Sequence, residues 1–203
     1  MRKIVKYVCT FILLMALAWI GTLIADRQRL NDHLIRLHVV AASDSQDDQT
    51  IKLQVRDAIT KSLQESLNKI PDAASAKAFL QQQLPQLQQT AEDTLRAAGV
   101  EDAVAVTLAK EAFPTRDYET FSLPAGVYES LRITIGEGEG QNWWCVVFPS
   151  LCLPATSEGF ADTAAGAGFP ESLTGALRHE GGYEIRFFLL DCFGWLENLF
   201  HKI

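Results

Sequence analysis

The 203-residue sequence predicts an α+β fold: a two-layer domain with helices packed on one face of a mostly antiparallel sheet, preceded by an N-terminal transmembrane or signal helix. Three observations predict it. An uncharged run from Tyr7 to Ala25 opens the chain. Apolar residues then recur at helical spacing between Ile51 and Leu95, and from Ala103 the spacing changes to two, the period of a strand. One strand, two or three helices and then several strands is the element order of an α+β domain.

Arg2, Lys3 and Lys6 precede the uncharged run, and Asp26, Arg27 and Arg29 follow it. A run near the ~20 apolar residues a spanning helix needs, with basic residues on its N-terminal side, puts Met1 in the cytoplasm and the remainder outside. Ala25 offers a small residue to a signal peptidase, but Leu23 two places earlier is not small and the run is long for a signal peptide. The balance favours an uncleaved anchor. Residues 1–29 are accordingly read as signal or anchor, and residues 30–203 as a single extracytoplasmic domain large enough to bury a core. A net charge of −7 becomes −10 once the three basic residues of the leader are set aside. Such an acidic domain argues against nucleic acid and against adhesion to an anionic bilayer, both of which require clustered Lys and Arg, and favours a protein partner or a small ligand.

The first element after the leader, Leu34 to Ser43, alternates as a strand: Ile35, Leu37, Val39 and Ala41 on one face, Arg36, His38 and Val40 on the other. Ser45-Gln46-Asp47-Asp48 supplies N-cap chemistry for a helix with Ile51, Val55, Ile59, Leu63 and Leu67 as its apolar stripe, opposite Lys52, Arg56 and Lys61. Pro71 ends it. A second helical stretch, Asp72 to Ala98, carries a solvated glutamine-rich face, is kinked or divided at Pro85 and stops at Gly99. Val104, Val106 and Leu108 then line one strand, and Leu131, Ile133 and Ile135 another, joined through Gly136-Glu137-Gly138-Glu139-Gly140 to a hairpin partner at Trp143 to Phe148. Residues 155–182, rich in Ala, Gly, Ser and Thr, read as a mobile loop, and Tyr183 to Leu190 as a strand. Gly194 to Ile203 reads as a short amphipathic helix whose Trp195, Leu196, Leu199 and Phe200 pack into the core; membrane-surface binding is the lesser alternative, weakened by a single Lys202.

Half of the tryptophans and half of the cysteines fall between Asn142 and Cys152. With Cys9 in the apolar run, Cys145, Cys152 and Cys192 are the candidates for a disulfide in an oxidising compartment. A straight strand from Cys145 to Cys152 would span ~23 Å, against a disulfide Cα separation of at most ~7 Å, so that pair requires a reversal at Phe148-Pro149-Ser150. Cys145 with Cys192 competes with it, and free buried thiols compete with both. Zinc is disfavoured by the lack of a C-x-x-C and of a histidine at ligand spacing. No catalytic residue, cofactor or metal is assigned. The glycine loop lacks the Lys-Ser/Thr of a P-loop, His38 with Asp44 and Ser43 or Ser45 lacks the context of a triad, and Cys145 with His38 or His179 follows two tryptophans, surroundings that disfavour a thiolate. Paired carboxylates among Glu129, Glu137 and Glu139 keep a cell-envelope hydrolase as the alternative function, and an anchored structural protein is a third. Trp143 and Trp144 point to opposite faces of a strand, so one can enter the core while the other faces a partner.

The segment from Ile35 to Ser45, then Asp48-Gln49, Lys52 and Val55-Arg56-Asp57, resembles stage II sporulation protein R when taken with Pro124 to Tyr128, Leu131-Arg132-Ile133, Gly136 and Asn142 to Cys152. The resemblance covers residues 1–153, and its Trp-Trp-Cys-x-x-x-Pro-x-x-Cys arrangement is specific. Ala42 stands where the family usually has Asn and Ser130 where Ala is common; nothing is carried past residue 153. It implies a signalling protein rather than an enzyme. Such a protein is made in the forespore, exported into the intermembrane space, and activates a membrane-embedded aspartic protease that processes a sporulation sigma-factor precursor. Under this resemblance the partner-binding residues are Trp143, Trp144, Asn142, Phe148, Pro149, Asp44 and His38, on a 142–152 hairpin and the adjoining 43–48 turn.

Overall fold

The computed structural model describes residues 2–117, 122–149 and 185–201. It contains α1 (Arg2–His33), β1 (Ile35–Val40), α2 (Gln46–Leu67), α3 (Ala73–Ala97), β2 (Val104–Phe113), β3 (Arg116–Asp117), β4 (Ser122–Leu123), β5 (Gly126–Ile135), β6 (Asn142–Phe148) and α4 (Ile185–His201). Four strands form one sheet in the order β2-β5-β1-β6, and β3 pairs with β4 apart from it. β1 runs parallel to β5 and antiparallel to β6, and β2 runs antiparallel to β5. The architecture is therefore the expected α+β one with a mostly antiparallel sheet.

The leader forms a continuous helix. Within it Lys3–Thr22 is long and apolar enough to cross a membrane, and none of that segment is buried in the protein. Only Leu34 separates the end of α1 from β1, so the helix feeds directly into the middle of the sheet.

α2 begins where Ser45 caps it, its side chain accepting from the Asp48 amide, with Asp47 and Asp48 in the first turn where the helix dipole favours negative charge. Val55, Ile59, Leu63 and Leu67 form its buried stripe. Lys52, expected on the solvent side, is buried as well, because it reaches over the end of β1 to the 136–141 connection. α3 runs through Pro85 as one element rather than two. It ends where Gly99 takes a left-handed φ of 76°, letting the Val100 amide donate to the Leu95 carbonyl across the helix end. The two helices cover the sheet face that carries Leu37, Val39, Val106, Leu131, Ile133 and Val147.

Two expected elements differ. The glycine-rich segment is not a hairpin turn, because β1 lies between β5 and β6. It crosses the end of β1, donating from the Glu139 amide to the Ala42 carbonyl (3.3 Å) and from the Gly140 amide to the Ala41 carbonyl (3.0 Å). This close crossing requires glycine at position 140, where a Cβ would stand 2.2 Å from the Ser43 carbonyl oxygen. The strand expected at Tyr183 to Leu190 is helical from Ile185 onward, part of α4, and its first two residues lie outside the described residues. Short apolar runs do not distinguish strand from buried helix by period alone. The apolar residues expected to bury in this C-terminal helix, Trp195, Leu196, Leu199 and Phe200, are exposed. The 155–182 loop lies outside the described residues.

Gly140→Ala is expected to lower stability by about 1–3 kcal/mol, since the added methyl meets backbone rather than a movable side chain. The exposed neighbour Glu139→Ala should stay within about 0.5 kcal/mol. Urea unfolding of the two variants side by side checks the difference.

Candidate functional site

The alternate residues of β1, Arg36, His38 and Val40, face away from α2 and α3, and the first two are polar. Arg36 and His38 are both buried there. The registers place His38 opposite Arg132 of β5 and Trp144 of β6. His38 Nδ1 lies 2.8 Å from Glu111 Oε1 and its Nε2 lies 2.7 Å from Asn142 Oδ1. The Trp144 indole stacks on the imidazole at a centroid distance of 3.7 Å and an angle of 16°. Phe113 meets Trp144 edge-on at 4.7 Å, and the Arg36 guanidinium sits over the rings of Phe113 (4.1 Å) and Tyr128 (5.1 Å). Arg132 closes the group with an ion pair of 3.1 Å to Glu111.

Electrostatics follow from that enclosure. Burial pushes the Glu111 carboxyl up, but the hydrogen bond and charge of His38, the Ser130 hydroxyl and the Arg132 charge outweigh it, leaving it below the ordinary 4.5. His38 and Glu111 have the spacing of two members of a triad. Yet the Nε2 position where a nucleophile would sit is taken by Asn142, and the ring is covered by Trp144. Neither Ser43, which donates to the Asp48 carboxylate, nor the capping Ser45 is a partner of His38. Among the described residues no group of three or more His, Cys, Asp or Glu gathers as a metal site.

Trp143 points to the other face. Its ring lies under the Arg56 guanidinium at 4.2 Å and is 37% exposed. Beside it, Gln141 is held on both sides of its backbone: its amide donates to Asp44 Oδ1 (2.7 Å) and its carbonyl accepts from Lys52 Nζ (2.9 Å). Burial holds the Lys52 ammonium below the ordinary lysine value; the Asp44 charge opposes this and the Arg56 charge adds to it. The 43–48 turn and the start of β6 are thereby one surface, with Asp44, Asn142 and Trp143 exposed on it.

Of the residues singled out in the sequence, His38, Asn142 and Trp144 come together in one network, and Asp44 and Trp143 flank it. Asp44 leaves the capping of α2 to Ser45 and accepts from the Gln141 amide instead. Phe148 and Pro149, joined by a cis peptide, are buried at the opposite end of β6 near Ile35 and take no part in this surface. Cys145 is buried and disulfide-bonded, whereas Cys192 is a free, exposed thiol, which excludes the Cys145–Cys192 pair. Cys152 lies outside the described residues. Sequence reasoning missed Glu111, Arg132, Arg36 and Phe113. Continuing the alternation of Val104, Val106 and Leu108 to residue 113 would have put Glu111 and Phe113 on the face opposite those three.

The family model of stage II sporulation protein R matches residues 31–158 of the chain. Stage II sporulation protein R of Bacillus subtilis (strain 168) is 33% identical over an alignment of 187 residues, and the match covers 83% of this chain and 82% of that protein. No solved structure matches.

Glu111→Gln should destabilise the fold by about 1–3 kcal/mol at neutral pH, because a buried partner is weakened. The folded carboxyl lies below its ordinary 4.5, so its contribution is complete above that value and is lost as pH falls through the lower folded value. Urea midpoints measured from neutral to acid pH should converge for wild type and variant at the acid end.

Proposed function

The chain belongs to the stage II sporulation protein R family, and from that premise we propose that it is an exported signal which activates a membrane-embedded aspartic protease, triggering processing of a sporulation sigma-factor precursor. The family gives the sporulation role; the extracytoplasmic, forespore-facing location, the protease and the precursor belong to the proposal. An N-terminal helix apolar enough for a signal or an anchor is consistent with export.

The observation that carries the reading is the surface at the start of β6. An exposed tryptophan, an exposed amide and an exposed carboxylate are held there by backbone and buried side-chain contacts that leave little to reorganise on binding. Exposed Trp on a rigid frame is the type of group that anchors protein interfaces. In this reading Trp143, Asn142 and Asp44 touch the protease's extracytoplasmic part. His38 holds Asn142 through its Nε2 contact, Trp144 stacks on His38 behind it, and Phe148 and Pro149 support the strand. The enclosed His38–Glu111 pair offers no open nucleophile, which favours this over hydrolysis of the cell envelope.

Coexpression with the protease and its precursor tests the assignment. Trp143→Ala should leave the domain folded and cut processing by roughly 30-fold, the loss expected of a hot-spot residue worth ~2 kcal/mol. Complete processing by Trp143→Ala at normal protein level would sink the proposed surface. Trp144→Ala should instead lower the melting temperature, since it uncovers His38.

A further inference from the structure

α4 is amphipathic in the reverse sense from a helix packed on a soluble core. With 3.6 residues per turn, Phe188, Cys192, Trp195, Leu196, Leu199 and Phe200 fall in one arc of about 140°. All six are exposed, Trp195 by 60% and Phe200 by 77%. The polar side makes the protein contacts. Asp191 accepts from the Ala125 amide at 2.8 Å and from the Thr115 hydroxyl, Glu197 accepts from the Val127 amide at 3.3 Å, and Asn198 donates to the Phe113 carbonyl at 2.8 Å. Gly194 is buried on that side, where a Cβ would stand 1.6 Å from the Ala125 carbonyl oxygen.

A helix held by its polar face, with its apolar face outward, requires a non-aqueous neighbour. Its position says which. α4 touches α1, and Ile24, Gln28 and Asn31 of α1 line the same cavity as Glu197. Ile24 is two residues past Thr22, where the segment able to cross a membrane ends. Trp195, Leu196, Leu199 and Phe200 flank Glu197 within one helical turn, so they lie at the depth where α1 would leave the hydrocarbon. Tryptophan is enriched at that depth. We propose that α4 is an interfacial helix, seated in the extracytoplasmic leaflet of the bilayer that α1 spans, so that the domain is clamped to the membrane at two points. The proposal rests on α1 being an uncleaved anchor. The outward arc carries no charged residue, so its insertion is apolar and needs no anionic lipid.

Cys192 lies in the arc and is free, so it reports its own surroundings. The full-length chain carrying Cys9→Ser, with the disulfide at Cys145 left oxidised, is reconstituted in phosphatidylcholine vesicles and spin-labelled at Cys192. Collisions with oxygen, which concentrates in lipid, are compared with those of a water-soluble nickel chelate. A label at position 69, through Lys69→Cys in a Cys9→Ser/Cys192→Ser chain, gives the aqueous reference. The oxygen-to-nickel ratio at 192 should be several-fold higher than at 69, and Leu196→Asp/Phe200→Asp should return it to the reference value. Equal ratios at the two positions would overturn the proposal. Release of the chain from the vesicles by alkaline carbonate would overturn its anchor premise, while leaving the processing assay free to support the signalling role.

Discussion

Every residue of β1 is buried, and the fold is arranged around the need to satisfy that one strand on both faces and both edges. β5 and β6 take its two edges, one parallel and one antiparallel. On one face Ile35, Leu37 and Val39 meet the stripes of α2 and α3. On the other, Arg36 and His38 are in the interior, where a charged or polar group is costly unless its partners are in place. Those partners come from all three other strands of the sheet: Glu111 and Phe113 from β2, Tyr128 from β5, Asn142 and Trp144 from β6, with Arg132 of β5 in turn pairing Glu111. A slip of one residue in any strand would turn its contribution to the apolar face, so the polar network also specifies the register. The surface at the start of β6 follows from the same constraint. Asn142 is fixed by His38, and Gln141 by the turn that leaves β1.

The position of β1 also organises the molecule along its length. α1 enters at one end of the strand, through Leu34, and the 41–48 turn leaves at the other. Six residues at ~3.3 Å each separate the two by about 20 Å. The proposed protease contact and the proposed membrane entry therefore sit at opposite ends of a rigid strand. The ends of β2 and β5 that meet α4 are on the α1 side, as the parallel pairing of β1 with β5 requires.

Much of this was legible in the sequence because it is written in local periods. The stripe from Val55 to Leu67, the capping Ser45, the stop at Gly99 and the alternation in β1 each depend on residues a few places apart. Strand order does not. The glycines at 136, 138 and 140 signal a tight path, and nothing local distinguishes a path back along the same strand from one that crosses a third. The burial of Lys52 was hidden for the same reason, since its partner Gln141 lies far along the chain. At the candidate site, His38, Asn142 and the two tryptophans were visible as residue types in a distinctive stretch. The carboxylate that holds His38 was not, because it sits 73 positions away in a strand whose full length the pattern understated. The C-terminal helix shows the opposite failure: its amphipathic pattern was read, but a pattern gives the two faces without saying which one meets the protein.

The long reach of β1's pairings bears on how the molecule is made. Leu37 sits opposite Leu131 and Cys145, so about a hundred residues must be delivered before the first strand acquires either neighbour, and closures of that span are slow. In the proposed export from the N-terminus, β1 would emerge first and wait with both edges unpaired, in the state most exposed to wrong pairing. The hydrogen bonds of α2 and α3, by contrast, are local in sequence and do not wait for either neighbour. Asn142 and Trp143 arrive beside Asp44 only when nearly the whole sheet has closed. A truncated chain therefore lacks the surface altogether, and under the proposed export the finished strand order would itself record that the whole domain had crossed.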